Sequence, residues 1–261
     1  MNKIRLDNLV LKLGFAETRS KAKGLIMAGH VKVDGVVVDK AGTGVSIDSN
    51  VEILDGVKYV GRGGRKLEGA LDEFNVDVSG KICADVGVST GGFTDCLLQR
   101  GAGRVYCIDV GKGVIHWKLR NDHRVVVKEA TNVRYLKSLP QAPEIVTVDV
   151  SFISLKLVLP SIRKWIDDNG IIIALIKPQF EAGKSDVGRG GIVRSKAVHR
   201  RVLGEVMQYC YDNNFFPSKL MVSPLRGAKG NVELFSMLTL KNYEAVDEIK
   251  LIDECIEGIE L

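Results

Sequence analysis

Apolar positions along this chain follow two periods, and the places where the period changes divide it. Leu6, Leu9, Val10 and Leu13 recur at helical spacing and predict a first helix. SKAKGLIMAG reads as a second helix, with Thr18 or Ser20 as its N-cap and Gly29 as its stop. In HVKVDGVVVDK the period drops to two: Val31, Val33 and Val37 alternate about an Asp34-Gly35 turn, a local hairpin signal. YVGRGG, Tyr59–Gly64, then places three glycines in four positions and predicts a flexible connector through which neither helix nor strand continues.

From Arg65 onward helical and strand patterns alternate. RKLEGALDEF reads as helix, KICADVG as strand, STGGFTDCLLQRG as turn and helix, and RVYCIDVG, EIVTVDVS and GIIIALIKP as strands. Short Val/Ile-rich strands separated by helices predict an α/β domain with a doubly wound, mainly parallel sheet covered on both faces. VELFSMLTL adds a late strand. GKSDVGRGGIVR, with four glycines and three basic residues, predicts a loop that orders on ligand binding, an ordinary connector being the alternative. At the end, Val246, Ile249, Ile252 and Ile256 have roughly helical spacing, and a terminal helix and a loose tail are equally open. The expected division is a small α+β unit at 1–58, a linker at 59–64, the α/β domain at 65–241 and an acidic tail at 242–261.

Composition narrows the function classes. Hydrophobic residues make up 45% and charged residues 26%, which is ordinary for a globular chain. The most apolar stretches are Ile145–Pro160, broken by Asp149 and Lys156, and the short run Ile171–Ile176; neither approaches the roughly 20 residues of a membrane span. The N-terminus lacks an apolar signal-peptide core, so the expectation is a cytoplasmic protein without a membrane role. Five scattered cysteines with no Cys-x-x-Cys pair or Cys/His cluster argue for core thiols, with neither a metal site nor a disulfide framework. Net charge is +5, but residues 242–261 carry −6, leaving +11 on the body. A basic body fits a polyanionic partner such as RNA.

The segment CADVGVSTGGFTDCLLQRG is a strand, a Gly-rich turn and a helix, the form of a nucleotide site at a strand's carboxyl end. A dinucleotide fingerprint would need glycine where Ser89 stands between Gly87 and Gly92, which weakens a nicotinamide or flavin reading. S-adenosylmethionine has no pyrophosphate and brings an amino-acid end. Asp85 can pair with its positive group and Ser89 can donate a hydrogen bond. The turn and helix start, Gly87, Ser89, Thr90, Gly91, Gly92 and Phe93, would hold it, with Asp109 on the ribose hydroxyls and Thr131 and Asn132 beside the adenine.

Two lysines and two acids stand where they can converge. Lys66 follows the connector, Asp149 ends the strand EIVTVDV, Lys177 ends GIIIALIKP, and Glu233 lies at the start of VELFSMLTL. Methylating a ribose hydroxyl needs a group to take its proton and in-line positioning of its oxygen, tasks such residues can perform.

Two resemblances sharpen this. RLDNLVLKLGFAETRSKAKGLIMAGHVKVDGVVV resembles the S4 RNA-binding domain, which implies RNA contacts from Arg5, Arg19, Ser20 and Lys21; Lys23, Lys32, Arg62 and Arg65 complete the expected set. Lys66–Asp149–Lys177–Glu233 resembles the Lys-Asp-Lys-Glu tetrad of FtsJ-type ribose 2′-O-methyltransferases. DVGVSTGGFTDCLLQRGA, DVSFISLKLVLP and ALIKPQFEAG are similar, more narrowly, to the TlyA family of rRNA methyltransferases, often labelled hemolysins. The resemblance spans about residues 3–240. It implies 2′-O-methylation of cytidine in ribosomal RNA or ribosomal subunits. It makes Lys177 the base or hydroxyl activator, has Asp149 and Glu233 orient lysines and substrate, and lets Lys66 position ribose or phosphate. Gly61, where relatives carry serine, and Arg65, where they carry an apolar or aromatic residue, depart from the pattern in the linker. Three other readings stay open: a non-catalytic RNA-binding or ribosome assembly factor, a membrane-active hemolysin, and a small-molecule or protein methyltransferase.

Overall fold

The computed structural model describes residues 3–16, 18–27, 29–54, 58–227, 229–242 and 246–260; residues 55–57 before the expected linker, and 243–245 and 261 of the expected tail, lie outside them. The N-terminal part comprises β1 (Lys3–Arg5), α1 (Leu6–Lys12), α2 (Arg19–Met27), β2 (Val31–Val33), β3 (Val36–Val37), β4 (Gly44–Ser46) and β5 (Val51–Ile53). Leu6, Leu9, Val10, Ala22, Ile26 and Val31 form its core, so the helical spacing of α1 is the spacing of its buried face. Leu13 departs from that expectation: it caps the end of α1 and is exposed. Thr18 is the side chain that caps α2, accepting from the Lys21 N–H at 3.1 Å. Asp34 and Gly35 both take positive φ, 51° and 81°, as a two-residue hairpin turn between β2 and β3 requires.

The connector differs from its expectation. Tyr59 is 2% exposed, the Val60 N–H donates to Asp95 Oδ2, and α3 (Gly63–Phe74) already begins inside it. Its glycines serve close approach and not flexibility: a Cβ on Gly92 would lie 2.9 Å from the Gly64 nitrogen and 3.0 Å from the Gly61 oxygen.

The remaining elements are β6 (Ile82–Val86), α4 (Gly92–Gln99), β7 (Arg104–Ile108), α5 (Trp117–Arg120), β8 (Val125–Lys128), β9 (Ile145–Val148), α6 (Leu159–Ile162), β10 (Ile171–Ile176), α7 (Pro178–Glu181), α8 (Lys196–Asp212), β11 (Phe216–Val222), β12 (Leu234–Thr239) and α9 (Glu248–Glu257). They build a seven-stranded sheet in the order β11-β12-β10-β9-β6-β7-β8. The run from β8 to β10 is parallel, and β12 and β11 are added antiparallel. Strand β10 shows why its sequence is continuously apolar: Ile172, Ala174 and Ile176 enter the core on one face, Ile173 and Leu175 the core on the other.

From β6 the chain winds through β7 and β8 to one side, then returns to β9 and β10 on the other. The switch therefore falls between β6 and β9, and a ligand crevice is expected at their carboxyl ends. The longest elements that the sequence pattern does not announce are helix α8 and strand β11, whose Pro217 and register shift break its pattern. The tail resolves into α9, with Ile252, Cys255, Ile256 and Ile259 buried and Ile249 facing solvent. All five cysteines are buried free thiols.

Candidate active site

Two clefts open at the switch point and share a wall. One, of about 460 Å³, is lined by Lys66, Asp149, Lys177 and Glu233. The other, of about 450 Å³, is lined by Asp109, Thr131 and Asn132 among the apolar walls Ile108, Val114 and Val133. Gly87, Ser89, Asp149, Ser151 and Phe152 belong to both. Gly87 follows β6 and lies against the residue following β9. A Cβ there would fall 2.3 Å from the Asp149 carbonyl oxygen, and its φ of 86° also selects glycine.

The four charged residues arrive from four elements and pair across the cleft. Lys66, in α3, is 7% exposed and its Nζ meets Glu233 Oε2 at 2.5 Å. Glu233, just before β12, also accepts from Gln179 Nε2 at 3.4 Å. Lys177, at the end of β10, is 8% exposed; its Nζ lies 2.6 Å from Asp149 Oδ1 and donates to Ser151 Oγ at 2.9 Å. Gly63 lets α3 pack closely on Phe93 beside this pair, since a Cβ there would sit 3.2 Å from the Phe93 ring. Lysines so nearly buried are kept only with partners. Here each has one, and both ammonium groups still line open space.

The Gly-rich loop is shaped around Asp109. Its Oδ2 accepts from the Ser89 N–H at 2.8 Å and its Oδ1 from the Gly111 N–H at 2.7 Å, which fixes the carboxylate at the cleft wall. Ser89 is held at a φ of 52°, a strained backbone for a residue with a side chain. Thr90, Gly92 and Phe93 line the first cleft; Gly91, at a φ of 101°, lines neither and packs against Leu119.

Asp85 is a correction. It was expected to meet a positive group of the ligand, yet it is fully buried and lines neither cleft. Its oxygens accept from the Thr94 and Thr147 hydroxyls at 2.7 and 3.2 Å. Burial pushes its carboxyl up to about 7. It organises the strand end from beneath.

Of the basic residues expected to meet RNA, Arg5 and Arg19 both donate to the buried Asp7, at 3.0 Å each, which holds their half-exposed guanidinium groups side by side. Hydrogen bonds from Arg5, then Arg19, hold the Asp7 carboxyl down at about 2. Ser20, Lys21 and Lys23 are exposed on α2, Lys32 is half-buried in β2, and Arg65 is exposed on α3. Arg62 pairs with Asp39 at 2.7 Å and lines the first cleft, joining the N-terminal hairpin to it.

Ser151, Phe152, Gln179 and Asn231 were not anticipated. Phe152 is 90% exposed with a φ of 64° and stands at the mouth of both clefts against Phe180. The segments carrying Ser151 and Phe152 are conspicuous in sequence, but a left-handed backbone is not readable there. Asn231 ties the glycine loop down, accepting from the Val193 N–H and donating to the Gly191 carbonyl at 2.9 and 2.8 Å. Those two hydrogen bonds join the loop expected to order on ligand binding to the segment before β12. Among the described residues no cluster of His, Cys, Asp or Glu has metal-site form, and no helix is long and apolar enough to cross a membrane.

Residues 59–239 match the FtsJ-like methyltransferase family profile, and residues 4–51 match the S4 domain profile. The 16S/23S rRNA (cytidine-2′-O)-methyltransferase TlyA of Mycobacterium tuberculosis is 40% identical, over 93% of this chain and 92% of that one. Hemolysin A of Brachyspira hyodysenteriae is 42% identical, over 88% of this chain and 97% of its own. A solved structure from Streptococcus thermophilus, described as a candidate hemolysin, is 41% identical with a TM-score of 0.78, over 98% and 95% of the two chains.

Proposed function

This chain belongs to the FtsJ-like methyltransferase family and carries an S4 domain, and from that premise we propose that it transfers a methyl group from S-adenosylmethionine to a cytidine ribose 2′-hydroxyl in ribosomal RNA. The observation that carries the proposal is the convergence of a buried ion pair, Lys66–Glu233, and a partly buried one, Lys177–Asp149, on a cleft that shares a wall with a second one.

The second cleft suits an adenosine. Its apolar walls Ile108, Val114 and Val133 fit a purine, Thr131 and Asn132 offer polar edges, and Asp109 stands ready for ribose hydroxyls. S-adenosylmethionine, when bound, supplies an activated methyl group. The chain's own residues do the rest. Lys177 Nζ, aimed by Asp149 and Ser151, would accept the hydroxyl proton from its neutral amine form as the ribose oxygen bonds to the methyl carbon and the donor's carbon–sulfur bond breaks, and Asp149 would steady the ammonium that results. Lys66, held by Glu233, positions the ribose or its phosphate. Phe152, an exposed ring at the mouth, offers a stacking face to the nucleotide being modified.

We assign RNA capture to residues 1–58 and catalysis to 65–241, with 59–64 between them and α9 closing the catalytic domain. Arg5 and Arg19, fixed side by side, are phosphate contacts; Ser20, Lys21, Lys23, Lys32, Arg62 and Arg65 extend that surface toward the cleft. A ribosomal substrate places this work in the cytoplasm. The S4 domain argues against a small-molecule substrate.

The test is methyl transfer from radiolabelled S-adenosylmethionine to purified 30S subunits, 50S subunits and free rRNA, beside a Lys177→Ala variant. Label in RNA that the variant fails to add supports the proposal and identifies the particle. Unlabelled RNA, with cofactor still bound, would make the chain an assembly factor.

A further inference from the structure

A third cleft, of about 540 Å³, lies outside the site described above. It runs between the N-terminal part and the catalytic domain. Phe15, Ser20 and Lys21 line one wall, and Ile115, His116 and Trp117 the other. Thr90 is common to this groove and the catalytic cleft, and Val114 to this groove and the cofactor cleft, so the groove adjoins both.

Trp117 is 67% exposed, yet the segment that carries it is firmly built. Glu129 Oε1 accepts from the Val114 and Ile115 N–H groups at 2.9 and 3.4 Å and from Arg120 Nη2 at 2.7 Å. The Arg120 guanidinium holds the Glu129 carboxyl down at about 2, so the clamp stays charged. The His116 N–H donates to the Thr90 carbonyl at 3.1 Å, and Leu119, 2% exposed, anchors α5 from below. The His116 ring lies beside the indole, with centroids 5.8 Å apart. A large aromatic presented to water on a rigidly held loop contributes little to folding and is placed to meet a ligand. Lys21 on the facing wall, and Lys112 and Lys118 near the indole in sequence, are exposed and supply the opposite of a phosphate's charge, Lys118 from 3.9 Å off Asp95 Oδ1.

We propose that this groove holds an unpaired nucleotide of the substrate RNA beside the modified one, its base stacked on Trp117 and its phosphate toward these lysines. Stacking on an aromatic face suits a single strand because every base has a π-face. Adjacency across Thr90 puts the groove where a strand with one nucleotide in the catalytic cleft would lay its neighbour. This rests on the reading that the substrate is RNA.

Two measurements test it. In methyl transfer to the RNA that the wild type labels, Trp117→Ala is expected to raise the substrate KM about tenfold, and Trp117→Phe to recover most of that. S-adenosylmethionine affinity and the melting temperature stay at wild-type values. A KM within twofold of wild type in Trp117→Ala overturns the proposal. Separately, Trp165 is buried, so of the two tryptophans Trp117 is the one open to a collisional quencher. Single-stranded decaadenylate added to the full chain is expected to shift its emission and shield it from acrylamide. Should the wild type methylate no RNA, the function reading fails by itself and this titration alone judges the groove: shielding sustains it, and unchanged quenching overturns it.

Discussion

Replacing Glu233 with Gln preserves the size of the side chain and removes its charge. Glu233 is 3% exposed and Lys66 7%, and their charged atoms meet at 2.5 Å. At an effective dielectric of about 20 that separation gives roughly 7 kcal/mol of attraction, which the desolvation of two ions, several kcal/mol each, largely offsets. The intact pair therefore adds little net stability. The broken pair is another matter, because Lys66 would keep a buried ammonium without its counterion, at a cost of about 3–5 kcal/mol. For a chain of this size each kcal/mol lowers the melting temperature by about 2–4 °C, so a fall of at least about 6 °C is expected by calorimetry. A Lys66→Met/Glu233→Gln double variant should regain most of that loss, since no orphan charge remains. Neither variant should methylate RNA above about a hundredth of the wild-type rate, because the positioning lysine is misplaced or gone. A single variant that melts with the wild type, or a double variant that regains stability and full methyl transfer, would refute this reasoning.

Asp85→Asn tests the buried acid. Its folded pKa, raised by burial from 3.8 to about 7, means the folded state keeps a proton the unfolded state releases. Stability should therefore decline as pH rises through that window and level off above it; urea unfolding at several pH values should show a flatter profile in the variant, and identical slopes would contradict the assignment. Gly92→Ala places a Cβ 2.9 Å from the Gly64 nitrogen and should push the connector off α4, lowering stability by about 1–3 kcal/mol in denaturant titration. Ile252→Asp puts an unpaired charge into the contact of α9 with the sheet domain and should cost more than about 2 kcal/mol. A loose tail would tolerate it.

Period and punctuation carried most of the architecture. The apolar runs of β6, β9 and β10 are readable because both faces of a parallel sheet are buried, and Gly29 and the Asp34-Gly35 pair mark backbone that must turn left-handed. Strand β11 was hidden because it lies at the sheet edge, half-buried and bulged, where little apolar pressure shapes its sequence. The connector misled for a related reason: glycine in sequence signals freedom, while Gly61, Gly63 and Gly64 are there for close approach of backbone to Gly92 and Tyr59. Within the site, Lys177 and Asp149 were legible as charges ending apolar strands. The pairing of Lys177 with Asp149 and Ser151, the strained exposure of Phe152 and the withdrawal of Asp85 from the cleft depend on where neighbouring strands end, which a single sequence does not state.

The central claim is that the methyl group goes to a ribose oxygen. The direct measurement is alkaline hydrolysis of radiolabelled RNA methylated by the wild-type protein. A 2′-O-methyl group blocks cleavage of the adjacent phosphodiester, so the account predicts label in an alkali-resistant dinucleotide, cytidine at its 5′ position, absent with Lys177→Ala. Label recovered in mononucleotides would place the methyl group on a base and contradict it.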